Sequence, residues 1–357
     1  MGHSTRAVER LHTLVKMAIP ICQRAEREHP RAGPGRPPEI PEWVMLVLVT
    51  VAMLKNRRNK SAQYRFLEQH RAELLRWIGT KRFPSRSTYC ERYRRAHRLF
   101  KVAVRLQGQL LMAKKIGDAS CVAVDKSLVR SLGPEWPKRL RIAGKVLPGV
   151  DRDSTWGYSK RHGWVQGYSY EVLVSAGKKG LVVPLLASVD QANWSEHRSF
   201  PEKIPHLPAT TKHVLADSGY DANDHADAIE SDPSGKPTGR HFLCPQVYRR
   251  GEARRPQQPY RDRHAPRRAA QHRRLARATY FRTNKARRLY SRRTITAEPF
   301  NEWFKSSFQL HDRVWHRGLD NNRTQLLAAM FTYQLLVRYN HRRGNHHGQL
   351  QWILDGL

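Results

Sequence analysis

Three acids stand where the chain could do chemistry. Asp217 lies in His213-Val-Leu-Ala-Asp-Ser-Gly-Tyr-Asp221, where small apolar residues run into an acid and a Ser-Gly turn follows. That order predicts a short buried strand, a tight turn and a helix start, with Asp221 as the helix cap. Asp125 likewise closes the apolar run Ser120-Cys-Val-Ala-Val124. A carboxylate ending a buried strand needs a partner, because unpaired buried charge is costly; an arginine, a metal ion, or both would serve. Adjacent strands of one sheet would bring the two acids together. They would then share a proton unless a cation intervened. Magnesium takes oxygen ligands and keeps several waters, so two or three carboxylates are enough to hold it. A pair of such ions can activate a nucleophile and stabilise a leaving oxygen at phosphorus.

The third acid is sought in Tyr290-Ser-Arg-Arg-Thr-Ile-Thr-Ala-Glu298-Pro-Phe-Asn-Glu-Trp-Phe-Lys305. Glu298 and Lys305 are two helical turns apart and share a face, so the glutamate could reach a metal while the lysine meets a phosphate. Pro299 follows directly and is tolerated only in a first turn, which Thr296 as N-cap would allow. A later helix start would favour Glu302. Each acid also has a plainer reading: Asp125 paired with Lys126 or Arg130, Asp217 as a turn residue, Glu298 facing a helix N-terminus.

The elements that must position these acids change character along the chain. Residues 1–115 read as helical: Arg6–Glu26, Glu42–Lys55 and Lys60–Ile78 (with Ser61 as cap), with a Pro/Gly-rich connector over Pro30–Pro41. A basic helix, Tyr89–Leu111, follows a Ser/Thr-rich entry and resembles a recognition helix, with Arg92 and Arg95 as candidate DNA contacts; a bundle helix with a solvated basic face fits equally. From residue 119 strands take over: the run into Asp125, Tyr168–Ala176 and Leu181–Val189 joined by Gly177-Lys-Lys-Gly180, the strand into Asp217, and His241–Cys244. Strands first, then strand alternating with helix, predict a mixed α/β sheet flanked by helices. The loop holding Trp156, Tyr158, Lys160, Arg161 and Trp164 interleaves bases with aromatics, as nucleic-acid surfaces do. Residues 248–293 carry seventeen Lys and Arg and little aliphatic bulk, so an extended or loosely helical phosphate-gripping arm is expected. Leu326–Tyr339 is a last apolar helix. Asn193 and Glu196 could approach the acids, whereas His162, His197 and His225 lack metal-ligand spacing.

Composition sets the partner. Lys and Arg outnumber Asp and Glu by 65 to 30 in 357 residues, a net charge of +35. An excess of that size points to a polyanion, nucleic acid before acidic membrane. The longest apolar run, Trp43–Leu54, is too short to span a bilayer. Cys22, Cys90, Cys121 and Cys244 are scattered, against a zinc site or disulfide framework and in keeping with a reducing cytosol. The expectation is a cytoplasmic, nucleoid-associated protein with no membrane partner.

With Asp125, Ala216-Asp217-Ser-Gly-Tyr220 and the Tyr290/Arg293/Glu298/Lys305 series in hand, the chain resembles the DDE transposases of bacterial insertion sequences over about residues 119–340. The resemblance implies a ribonuclease-H-like core in which Asp125, Asp217 and Glu298 hold two magnesium ions, with manganese able to substitute. It also implies that Tyr290, Arg293 and Lys305 contact the element's terminal DNA. The implied organisation is a helical DNA-binding domain (1–115), the first part of the catalytic core (116–247), the arginine-rich insertion (248–293), a helical completion of the core (294–345) and a tail (346–357). One departure is that four residues separate Arg293 from Glu298, where the family pattern has three. The implied activity is metal-dependent hydrolysis and strand transfer on double-stranded transposon ends and target DNA, by a homodimer on DNA. A ribonuclease-H-like nuclease and a non-catalytic DNA-binding remnant are the alternatives.

Overall fold

The computed structural model describes residues 2–30, 38–160, 162–247, 265–311 and 313–357. Most of the Pro/Gly connector, Arg161 and residues 248–264 of the arginine-rich segment lie outside the described residues.

Six helices precede the sheet: α1 (Gly2–Glu28), α2 (Glu42–Leu54), α3 (Lys60–Gln69), α4 (Arg71–Ile78), α5 (Arg86–Arg95) and α6 (His97–Ala113). Two of the expected long helices are broken. Lys60–Ile78 splits at His70, and Asn59 rather than Ser61 caps α3, its side chain accepting from Ala62 N at 2.8 Å. The basic helix begins at Arg86, capped by Ser85, and breaks at Ala96.

The sheet follows: β1 (Cys121–Arg130), the short α7 (Lys138–Ile142), β2 (Thr155–Ser159), β3 (Gly163–Ser175), β4 (Pro184–Gln191), α8 (Glu196–Ser199), β5 (His213–Leu215), α9 (Asn223–Glu230) and β6 (His241–Leu243). β1 is central, antiparallel to β3 on one side and parallel to β5 on the other; β6 extends the parallel edge, and both β2 and β4 pair with β3. Strand β2 arises from the Trp/Lys-rich loop. Cys121 to Val124 are buried in succession, as befits a strand covered on both faces. Helix α6 lies so close to β4 that a Cβ at Gly108 would come 2.8 Å from Leu185 O, so that position has no room for a side chain.

The chain ends in α10 (Ala265–Phe281), α11 (Asn284–Tyr290), α12 (Arg292–Ser307), α13 (Leu319–Arg342) and α14 (Gln351–Asp355). The described part of the arginine-rich segment is therefore helical, not extended. Its arginines dock on acids around α9: Arg273 and Arg277 on Asp227, and Arg274 on Asp221 at 2.7 Å. Helix α13 is buried on nearly every side and joins the two halves of the fold. Gln334 Nε2 donates to Val104 O and Pro184 O, and Thr324 to Tyr93 O at 2.6 Å. The N-terminal helices and the sheet thus share one hydrophobic core.

Candidate active site

Strand alternation decides what surrounds Asp125. The strand runs through it rather than ending there, with Asp125 opposite Val172 and Lys126 opposite Glu171. Asp125 and Ser127 therefore face α12, and Lys126 and Glu171 face the other side. Asp217 follows β5, whose Leu215 pairs with Ala123, so parallel pairing sets the second acid beside the first. Its side chain accepts from Gly219 N at 2.8 Å, and Cys244 Sγ donates to its carbonyl. The helix cap expected at Asp221 is absent: Asp221 instead accepts from Val247 N and Arg274. Unlike a free turn acid, it has a cation within reach.

Helix α12 delivers the third acid and the cation. It starts at Arg292, five residues earlier than the Thr296 cap would allow, so Pro299 lies inside it. Thr296 donates its hydroxyl back to Arg292 O at 2.6 Å instead of capping. Phe300 and Phe304 anchor the helix, Phe304 meeting Tyr170 edge-on at 5.2 Å.

The three acids converge on one guanidinium. Arg293 Nη2 is 2.6 Å from Asp125 Oδ1 and 3.6 Å from Asp217 Oδ2, and Nη1 is 3.6 Å from Glu298 Oε1. Asn301 Nδ2 donates to the other oxygen of Asp125 at 2.7 Å. Glu302 turns away, toward His311 at 3.6 Å. Burial pushes the Asp125 carboxyl up to about 6, against the pull of Arg293; Asp217 and Glu298 push the same way as burial. Neighbouring acids hold Arg293 above its ordinary value despite burial.

The other expected site residues are placed as follows. Tyr290 ends α11 with its ring against Phe281 at 4.9 Å, and burial raises it to about 12. Lys305 Nζ donates to Leu128 O at 3.0 Å. Arg92 does not lie open to a DNA groove: it donates to Ile40 O at 2.5 Å and stands 3.9 Å from Glu42, because α5 packs against the start of α2. Arg95 is exposed and pairs with Glu91 at 2.9 Å. Asn193 accepts from Thr155 Oγ1, and Glu196 lies 3.5 Å from Lys126.

Sequence reasoning missed Asn301, whose placement depends on helix phase, and a buried ion pair beneath the site. Lys203 and Glu171 are each 2% exposed, 2.5 Å apart. Glu171 also accepts from Ser199 Oγ at 2.8 Å and Tyr220 Oη at 3.0 Å. Burial pulls Lys203 below its usual value, and burial with Glu171 drives the Tyr220 phenol well up. Through Tyr220 this network supports the turn that carries Asp217. Tyr220→Phe removes one hydrogen bond to a buried carboxylate, and denaturant melts should show a loss of about 1.5–3 kcal/mol.

The donor set suits a hard divalent ion. All ligating candidates are oxygens, and the buried Asn301 Oδ1 beside Asp125 has no hydrogen-bond partner among the described residues. As the side chains stand, no three His, Cys, Asp or Glu among the described residues form a cluster able to hold a metal. The guanidinium lies between the acids and supplies the positive charge.

Acids gathered over the inner strands of a mixed sheet, flanked by helices and set in a strongly basic chain, suit an enzyme that acts on phosphodiesters. The chain belongs to the transposase DDE domain family, whose sequence model matches residues 116–335. The expected kinship with insertion-sequence transposases is thereby borne out, and DNA is the partner and a divalent metal the usual cofactor of that family. No curated protein and no solved structure matches the chain. Among the described residues no helix is long and apolar enough to cross a membrane.

Proposed function

We propose that the protein is a transposase that binds the ends of its element and carries out metal-dependent hydrolysis and strand transfer on a ribonuclease-H-like core. The observation that carries this reading is the meeting of Asp125, Asp217 and Glu298 around Arg293. The strand order supports the core: three antiparallel strands, β4, β3 and β1, then parallel β5 and β6.

In this reading Asp125, Asp217 and Glu298 hold two magnesium ions, or manganese in their place, with Asn301 fixing the orientation of Asp125. The bound ions would activate the attacking oxygen and stabilise the leaving one at phosphorus. Arg293 keeps the three carboxylates together before the ions arrive, and afterwards its charge is free to meet a phosphate. Water attacks one phosphodiester, and the 3′-hydroxyl so released attacks target DNA. Tyr290 and Lys305 border the path of the terminal DNA, while Arg95 and the arginine-rich segment grip backbone. The helical residues 1–115 contribute to end binding, and a homodimer brings two ends together.

Strand transfer separates this from a nuclease of the same core. Pre-cleaved ends incubated with magnesium and target plasmid should yield joined products, and cutting without joining would favour the nuclease. Glu298→Gln should lower cleavage about a hundredfold, some 2.7 kcal/mol of barrier, while Glu302→Gln stays within about threefold. The reverse order would assign the third acid to Glu302.

The pH dependence follows from Asp125. Its carboxyl is held protonated up to about 6, above its ordinary range. The folded state thus binds this proton more tightly than the unfolded chain. This group's contribution to stability falls as pH rises from about 4 to about 6. Ion binding needs the carboxylate, so manganese titrations should tighten up to about tenfold per pH unit below 6 and level off above it.

A further inference from the structure

The turn end of the β2–β3 hairpin is unusual for its exposed aromatic surface. Tyr158 and Trp164 are cross-strand partners, 63% and 65% exposed, with ring centroids 5.5 Å apart in an edge-on pair. Rings of that size are ordinarily turned into a core or covered by a partner. Beside them lies a groove of about 380 Å³ lined by Arg130, His162, His311 and Arg313. The chain after α12 closes it, Val314 N donating to Arg130 O at 2.8 Å and setting Arg313 beside the end of β1. Among the described residues Glu302 stands 3.6 Å from His311, and no ion pair engages Arg130 or Arg313.

The groove lies at the far end of the strand that carries Asp125, and by strand alternation the side chain of Arg130 leaves the face opposite to that of Asp125. Arg130 is five residues beyond Asp125 on one strand, about 16 Å at 3.3 Å per residue. That is about five base-pair steps of duplex at 3.4 Å each. Lys305, bonded to Leu128 O, stands between them. Beyond the acids, the end of the sheet thus carries two arginines in the groove and two exposed rings on the adjoining hairpin. Arginines recognise phosphate, whereas exposed rings recognise the faces of bases, and paired, stacked bases do not present their faces.

We propose that the groove and the hairpin form a binding site for strand-separated DNA: phosphates of one strand sit on Arg130 and Arg313, and its unpaired bases stack on Tyr158 and Trp164. The site deepens the transposase reading and rests on it for the identity of the nucleic acid. It assigns the hairpin a preference for DNA opened several nucleotides from the cut, rather than for uniform duplex.

The test uses the full chain in EDTA, a fluorescent 30-base-pair duplex, and the same duplex with a six-nucleotide single-stranded overhang. Wild type should bind the overhang probe at least tenfold more tightly. The Tyr158→Ala/Trp164→Ala double variant should lose that preference, weakening overhang binding tenfold or more while blunt-duplex binding stays within twofold. Tyr158→Phe/Trp164→Phe should retain it. Arg130→Gln/Arg313→Gln should make the salt dependence of overhang binding shallower by about 1.4 in log–log slope, about 0.7 for each lost single-strand phosphate contact. Equal affinity of wild type for both probes, or an unchanged preference in the alanine double variant, overturns the proposal. Magnesium-dependent cleavage is scored separately. Wild type that cuts without an overhang preference sinks only the hairpin site. Ring-dependent overhang binding by a protein that never cuts sinks the transposase reading and leaves the site standing.

Discussion

Asp217→Asn should abolish magnesium-dependent cleavage, by a thousandfold or more, while leaving DNA binding within about threefold. The loss corresponds to some 4 kcal/mol of transition-state stabilisation, within what bound ions supply when they neutralise charge developing at phosphorus. Asparagine keeps the shape and can still accept from Gly219 N, the contact that shapes the turn after β5. Only the charge is removed. Asp217 is half-exposed and is 3.6 Å from Arg293, so the fold should survive the change. The assay pairs cleavage of end-containing DNA with binding in EDTA. Wild-type cleavage retained in the variant would mean that the convergence of acids is structural, and the protein would then be read as a DNA-binding one.

Arg293→Gln should cost about 3–5 kcal/mol of stability in EDTA, because it leaves Asp125 buried beside two other acids without its cation. Asp125 is 14% exposed and Arg293 12%, so solvent screens the pair little. The loss should shrink in magnesium, since an ion that binds only the folded state adds about 2.7 kcal/mol at a hundred times its dissociation constant. Wild type should gain less from the same ion, as its acids already have a counter-charge. Denaturant melts with and without magnesium check both halves. A loss under about 1 kcal/mol, or one indifferent to magnesium, would show that the acids do not depend on a shared cation.

Much of this site could be read from residue order. An apolar run into Asp217 followed by Ser-Gly can only be a buried strand entering a turn, and the same reasoning found Asp125, although its strand continues to Arg130. Glu298 lies 3.6 Å from Arg293 and Glu302 3.6 Å from His311, in a helix that does not start where Pro299 suggests. Proline favours a first-turn position, whereas packing of Phe300 and Phe304 carries α12 through Pro299. Arg293 was expected at DNA, yet it lies among the acids; no local pattern says which of several arginines a distant carboxylate will recruit. The Lys203–Glu171 pair was equally hidden, since its partners come from β3 and a turn 32 residues later. That the arginine-rich helices dock on the fold was not legible, because the acids that receive them, Asp221 and Asp227, lie some fifty residues upstream. Charge runs can be judged from sequence only when their counter-charges are also local.

The central claim is that these three carboxylates bind divalent ions where Arg293 now neutralises them. Its most direct test is a crystal of the protein grown with manganese, with data collected at the manganese absorption edge. The account predicts anomalous density bonded to oxygens of Asp125 and Asp217, with the Arg293 guanidinium drawn back from Asp125. Anomalous density elsewhere, or none, with Arg293 still bridging the acids, would contradict it.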